Sequence, residues 1–350
     1  MRLLIKNGRI WDGERFFYAD VLTEDQTIAA IRPDIQEKAT YCFDATGMTV
    51  SAGLLDMHAH FRGISADIYG IAADAACLPF GVTTAVDVSA MKGNKDMLGL
   101  LGVKVPVMAF IGIKEDKAVF TAAERAFENY GDRVIGLKIC FSEPGAVTIK
   151  PLQQACEYAR SKGLPLMVHC TDSPLPMAEI VDCLSAGDIL THPYHGGKNT
   201  AMDDGFMCFK GAREKGIWLD AGFAGFVHTD FEVLRQAFAA GYFPDTISTD
   251  ITKGSAFKRG GRYGLTMCMS MARTAGMPEE AIFKAVTSAP AAAIGWKVGN
   301  LQVGGNADLC LLSYTDEPFS LTDKAGNTLE NETGYRCRMT ICDGVVVYRD

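Results

Sequence analysis

Gly53-Leu-Leu-Asp-Met-His-Ala-His-Phe-Arg-Gly63 joins an apolar run to two histidines separated by one residue. The run Leu54–Phe61 reads as a buried β-strand, and on a strand residues i and i+2 point to the same side. His58 and His60 then converge on one point, and two neutral imidazoles so placed make half of a zinc site. Taken alone the pair has a plain alternative, histidines that face solvent or cap a strand end, because His-X-His is a short match. The remainder of the chain decides between the two.

Downstream of this stretch, short apolar runs alternate with helical patterns. Strands are predicted at Leu54–Phe61, Thr83–Ser89, Val105–Ile113, Val134–Phe141, Leu164–Cys170, Ile189–Tyr194, Ile217–Phe223 and Asp245–Ile251. Between them lie stretches such as Pro151–Lys162, with Leu152, Ala155, Cys156 and Ala159 at helical spacing. Continuous apolar strands alternating with helices imply a parallel sheet covered on its outside, and eight such units imply a closed (β/α)₈ TIM barrel.

The two ends differ from this pattern. Asn7-Gly8 and Asp12-Gly13 separate strand-like runs near the start, and Asp343-Gly344 is a hairpin signal between Cys337–Cys342 and Val345–Tyr348. The economical reading is one small β-sandwich domain from residues 1–52 plus 300–350, with a barrel of residues 53–299 inserted between.

Composition bounds the function. With 48% hydrophobic and 22% charged residues the chain is an ordinary globular protein. Its net charge of −8, with no basic run, argues against nucleic acid or a membrane surface as partner. The N-terminal apolar stretch is too short for a signal peptide, and Ala285–Trp296 is too short to span a bilayer, so a cytoplasmic location is expected. Eleven cysteines, none in a Cys-X-X-Cys pair, read as reduced, buried small hydrophobes, among them Cys140, Cys170, Cys268 and Cys310.

In a barrel, the C-terminal ends of the strands converge on one mouth. His58 and His60 end the first strand, Lys138 lies near the end of the fourth, His169 ends the fifth, His192 the sixth and Asp250 the eighth. Core packing does not explain such a set, because buried ionisable groups need partners. Lys138, between Leu137 and Ile139, is an expensive buried cation unless it is ion-paired, for instance to Asp250, or modified. A lysine that takes up carbon dioxide becomes a carbamate, whose two oxygens can bridge two cations.

This constellation resembles the amidohydrolase superfamily, in its binuclear, carboxylated-lysine branch of dihydroorotases, hydantoinases and related deacetylases. The resemblance covers nearly the whole chain and matches five ligand stations in order. It implies two divalent metal ions, zinc by expectation. His58 and His60 would bind the more buried one, and His169 and His192 the other. Carboxylated Lys138 would bridge them, and Asp250 would ligate the buried metal and shuttle protons. His58-Ala-His60-Phe-Arg62 also matches the His-X-His-X-Arg of dihydroorotases, whose arginine holds a substrate carboxylate. The match ends at Gly63-Ile64-Ser65, where the usual Asp-Pro-Gly is replaced.

Two further segments are placed at the mouth. The loop Pro193–Asn199 offers Tyr194 and His195 as substrate contacts, and Lys253–Arg262, with four cations and three glycines, reads as a mobile, anion-friendly loop. His228 is read as a loop residue with no catalytic part. The expected activity is hydrolysis of an amide in a small, carboxylate-bearing molecule, by a hydroxide shared between two metals that depress its pKa. The alternatives are a dihydroorotase or hydantoinase proper, a mononuclear deaminase that would not need Lys138, a lactonase or phosphotriesterase on the same metal centre, and a metal-free scaffold. Association into a homo-oligomer is left open.

Overall fold

The computed structural model describes residues 1–61, 69–88, 104–113, 117–142, 148–258, 260–331 and 333–350. Seven strands pair in chain order and all in parallel: Leu54–Ala59, Val82–Asp87, Val107–Gly112, Val134–Cys140, Leu166–His169, Ile189–Thr191 and Trp218–Asp220. Among the described residues, helices lie between successive strands other than the second and third, for example Lys117–Tyr130 before the fourth and Lys150–Lys162 before the fifth. Leu152, Ala155, Cys156 and Ala159 form the buried face of the latter, and Gly163 ends it in the left-handed conformation. This is the predicted α/β barrel, and its strands are shorter than their apolar runs. Ser89, at the end of the second predicted strand, lies outside the described residues.

The eighth predicted strand, Asp245–Ile251, departs from the expectation. It is no regular strand and holds its neighbours through single parallel bridges, Thr246 to Asp220 and Ile251 to Ala59. The N–H groups of Ala221 and Phe223 donate to Thr246 and Ser248 on one side, and Asp250 N–H donates to the His58 carbonyl on the other. The ring therefore closes here. The physical reason for the broken ladder is local: Asp250 has a left-handed backbone (φ 46°), and Thr246, Ser248 and Thr249 turn their hydroxyls to the buried carboxylates of Asp220 and Asp56.

Both ends of the chain join one eight-stranded sheet, ordered Val345–Arg349, Gly334–Cys342, Leu309–Thr315, Thr49–Ala52, Arg2–Trp11, Phe16–Glu24 and Thr27–Arg32, with Tyr41–Asp44 also on Arg2–Trp11. Leu3, Ile5, Val21, Val50, Leu309 and Ile341 form its buried face. Asp343-Gly344 makes the predicted hairpin turn, both residues at positive φ. Asn7-Gly8 does not turn the chain. It is an irregularity inside Arg2–Trp11, where left-handed Asn7 donates its N–H to Asp20 Oδ1. All eleven cysteines are free, and Cys140 and Cys42 are exposed, against the buried reading of Cys140. Among the described residues, no helix is long and apolar enough to cross a membrane.

Candidate metal centre

The barrel brings five of the predicted strand ends to one place. His60 Nε2 lies 2.6 Å and His58 Nε2 3.3 Å from Asp250 Oδ1, and His192 Nε2 lies 3.7 Å from Asp250 Oδ2. Lys138 Nζ stands 3.2 Å from His58 Nε2 and 3.3 Å from Met167 Sδ. The rings of His169 and His192 are 4.6 Å apart, and those of His58 and His192 5.1 Å. His58, His192, Lys138 and Asp250 are all buried. Asp250 Oδ1, packed against two imidazole nitrogens, makes no hydrogen bond, and neither does the buried Nδ1 of His60. A buried carboxylate oxygen left so beside converging imidazoles is a donor set for a cation. Donor atoms of His58, His60 and Asp250 all lie within 4.8 Å of one another, as do those of His169, His192 and His228.

Two histidines have their ring nitrogens assigned by their surroundings. His192 Nδ1 lies 2.6 Å from the Gly222 carbonyl, which can only accept, so this nitrogen carries the proton and Nε2 is left to ligate. Gly222 permits the contact. It has φ +51°, and a Cβ there would meet His192 Nδ1 at 2.6 Å and Thr191 Oγ1 at 2.5 Å. His58 Nδ1 lies 3.0 Å from Thr191 Oγ1, whose own proton goes to Asp220 Oδ2 at 2.7 Å. That direction makes His58 Nδ1 the donor and turns a free Nε2 toward Lys138 and Asp250. Asp220 also accepts from Thr246 and Ser248.

The charges follow from burial and neighbours. Burial, reinforced by neighbouring imidazoles, holds His169 and His192 well below the ordinary histidine range, which favours their neutral forms. Burial alone would raise the Asp250 carboxyl, but His58 and His60 outweigh it and hold it well below the carboxylate range. Burial lowers the Lys138 ammonium, against Cys140 and Asp250, and favours the uncharged amine that reacts with carbon dioxide. Lys138 forms no ion pair among the described residues, and Asp250 is paired with imidazoles instead. Both His192 (φ 67°) and Asp250 (φ 46°) sit in left-handed conformations that ordinary residues avoid, a strain found where structure serves a site.

The sequence reading of the mouth is corrected at three points, Tyr194, the Lys253–Arg262 segment and His228. Tyr194 is no substrate contact: the left-handed turn at His192 sends it outward, where it is fully buried between Phe209 and Phe238 and donates to the Tyr242 carbonyl. His195 is buried too, with Nδ1 accepting from Gly197 N–H and Nε2 left with no hydrogen-bond partner. Lys253–Lys258 is a short helix rather than a loop, because Thr252 and Ser255 exchange side-chain-to-backbone bonds at its start, and exposed Arg262 pairs with Glu317. His228 stands beside the ligands, its ring 4.8 Å from His169 and 4.5 Å from His192. Arg62 lies outside the described residues. Sequence reasoning passed over Asp220 as well, because the predicted strand Ile217–Phe223 runs on past it, whereas the observed strand Trp218–Asp220 ends there.

Several known proteins are similar to this chain in sequence and fold. The chain is 28% identical to a deacetylase of Enterococcus faecalis over 98% of both chains, and 28% identical to a deacetylase of Agrobacterium fabrum over 87% of this chain and 80% of that one. It shares 30% identity with a dihydroorotase of Solibacter usitatus, over 49% of this chain and 42% of that one. Among solved structures it superposes on an adenine deaminase with a TM-score of 0.87 at 26% identity, covering 99% of both chains. A dihydroorotase gives 0.86 at 23%, covering 100% of this chain and 98% of that one, which speaks to fold alone. Residues 49–347 match the amidohydrolase family. The chain is therefore a member of the amidohydrolase family, a metal-dependent hydrolase of carbon–nitrogen bonds.

Proposed function

We propose that this enzyme uses two zinc ions and a carboxylated Lys138 to cleave the amide of a small, carboxylate-bearing substrate, an N-acyl amino acid or a related cyclic amide. The observation that carries the reading is the buried Lys138 amine, without an ion pair among the described residues, set among His58, Met167 and the other converging side chains. A carbamate there satisfies the burial and adds two oxygens to a set of imidazoles and one carboxylate. When bound, the cations supply Lewis acidity toward a carbonyl and lower the pKa of water. His58 and His60 with Asp250 would hold one, and His169 with His192 the other. Asp250, ionised and wedged between the histidines, accepts the proton of the attacking water and returns it to the leaving nitrogen. Arg62, two residues beyond His60, holds the substrate carboxylate through its planar fork of donors. A mononuclear deaminase has no use for Lys138, and similarity to deacetylases along almost the whole chain favours N-acyl substrates.

The test is a hydrolysis screen with enzyme reconstituted in zinc and bicarbonate. N-acetylated amino acids and cyclic ureide acids should be cleaved, and neutral hydantoins and nucleobases left nearly untouched. Arg62→Met should lower kcat/KM for the acids by about 10–150-fold, corresponding to a charge-assisted contact of ~1.5–3 kcal/mol. Preference for neutral cyclic amides would sink the anionic substrate, and purified enzyme that holds at most one zinc would sink the binuclear centre.

A further inference from the structure

His228 lies on the loop after the seventh strand, beyond the ligand stations that the sequence pattern marks. Its ring nitrogens and those of His169 and His192 approach within 4.8 Å of one another, and its Nδ1 is buried with no hydrogen-bond partner. The ring stands nearly perpendicular to His169 (87°) and tilted to His192 (37°), with ring centres 4.8 and 4.5 Å away. Stacking alone does not account for an imidazole that sets one ring nitrogen near two others and also keeps a buried nitrogen without a partner.

The loop that delivers His228 is pinned on both sides. Ala224, Gly225 and Phe226 are consecutive left-handed residues, two of them not glycine. Ala224 N–H donates to the Thr249 carbonyl at 2.8 Å, next to Asp250. Phe226 is buried against Phe231 and Tyr263, with ring separations of 5.6 and 5.8 Å. A Cβ on Gly225 would press on Ser255 at 2.9 Å. Beyond His228, Asp230 N–H donates to the Tyr194 carbonyl, and its side chain caps the helix Phe231–Ala239. A strained segment anchored at 224, 226 and 230 leaves His228 little freedom to swing away.

We infer that His228 is the third imidazole ligand of the second metal, completing a His169–His192–His228 site. The inference rests on the binuclear reading above and changes one of its consequences. Three nitrogens and one open position satisfy a tetrahedral zinc ion. The second metal then no longer depends on the Lys138 carbamate for retention, and the carbamate serves to couple the two sites.

Zinc binding by metal-free protein tests this, with affinities measured by chelator competition and ligand geometry read from the visible spectrum of the cobalt-substituted protein. Wild type should bind two ions. His228→Gln should bind the second at least ~10–100-fold more weakly, the loss expected when a metal's surroundings are disturbed, with altered cobalt bands and a first-site affinity within about threefold of wild type. His228→Asp, which offers an oxygen in place of the nitrogen, should recover most of the second-site affinity and controls for folding. Lys138→Ala should still bind two ions. Wild type binding two ions while His228→Gln keeps both the second-site affinity and the cobalt spectrum would overturn the His228 assignment and leave the binuclear centre standing. Wild type that binds a single ion would overturn both.

Discussion

Asp220→Asn tests whether the buried relay behind His58 sets its tautomer. In the native protein protons run in one direction, from His58 Nδ1 to Thr191 Oγ1 over 3.0 Å and from Thr191 to Asp220 Oδ2 over 2.7 Å. Asparagine keeps the shape but replaces one oxygen with a donor. With its NH₂ toward Thr191, the hydroxyl must accept from Asn and donate to His58 Nδ1, which moves the imidazole proton to Nε2 and spoils the ligating atom. With its NH₂ toward Thr246 and Ser248, two other hydroxyls that now donate at 2.8 and 2.7 Å must reverse instead. Neither rotamer satisfies the whole network. Loss of such an outer partner weakens metal binding by about 10–100-fold, or ~1.4–2.7 kcal/mol at ~1.4 kcal/mol per decade. Global stability should change less, because removing a buried charge offsets the weaker hydrogen bonds. The assay is zinc affinity by chelator competition alongside kcat/KM at limiting and saturating zinc. Thr191→Val removes the intermediate hydroxyl but leaves His58 Nδ1 3.3 Å from Asp220 Oδ2, so its loss should be smaller. If Asp220→Asn binds zinc within about threefold of wild type with unchanged kcat/KM, something other than this relay orients His58.

Three further outcomes are expected. Gly222→Ala places a Cβ 2.6 Å from His192 Nδ1 at a positive φ, so it should lower stability by ~2–4 kcal/mol in urea titration and loosen the second metal; a loss under ~1 kcal/mol would show that the strand end yields easily. Asp250→Asn should cut kcat by ~10²–10⁴-fold with little change in KM, and a variant keeping more than about a tenth of the rate with its metals in place would assign proton transfer elsewhere. The metal-free protein should lose stability in mild acid. Burial depresses His169 and His192 well below the ordinary value and His195 to about 4, so below pH ~6.5 the unfolded chain binds more protons than the folded one. His228, also lowered by burial, adds to them, whereas Asp56, raised to about 6 by burial, opposes them by one proton below that pH. His58, where Asp250 and Asp220 outweigh burial and raise the pKa, does not contribute to the loss. The net fall from pH 6 to 5 is ~1.4–2.7 kcal/mol per unit, and a melting temperature that is flat or rises over that range contradicts the buried neutral histidines.

What could be read in the chain, and what could not, divides along the range of the physics involved. The barrel followed from apolar runs of fixed length, and His58, His60, Lys138, His169, His192 and Asp250 followed from one rule, a polar residue where such a run ends. That rule works because strand ends in a barrel converge whatever the loops do. It failed at Asp245–Ile251, where the hydroxyls of Thr246, Ser248 and Thr249 bond inward to Asp220 and Asp56 and the ladder is reduced to bridges. It failed again at Tyr194, two residues past a strand end, because left-handed His192 breaks the alternation that would have pointed it at the mouth. His228 was out of reach for the same reason. Its position depends on three successive positive φ values and on Phe226 wedged between Phe231 and Tyr263, contacts whose partners lie up to 37 residues away in the chain. Strand periodicity is local and survives in sequence. The left-handed corners that aim His192, His228 and Asp250 are held by tertiary contacts, so these residues announce themselves as histidine and aspartate and give no sign of where they point.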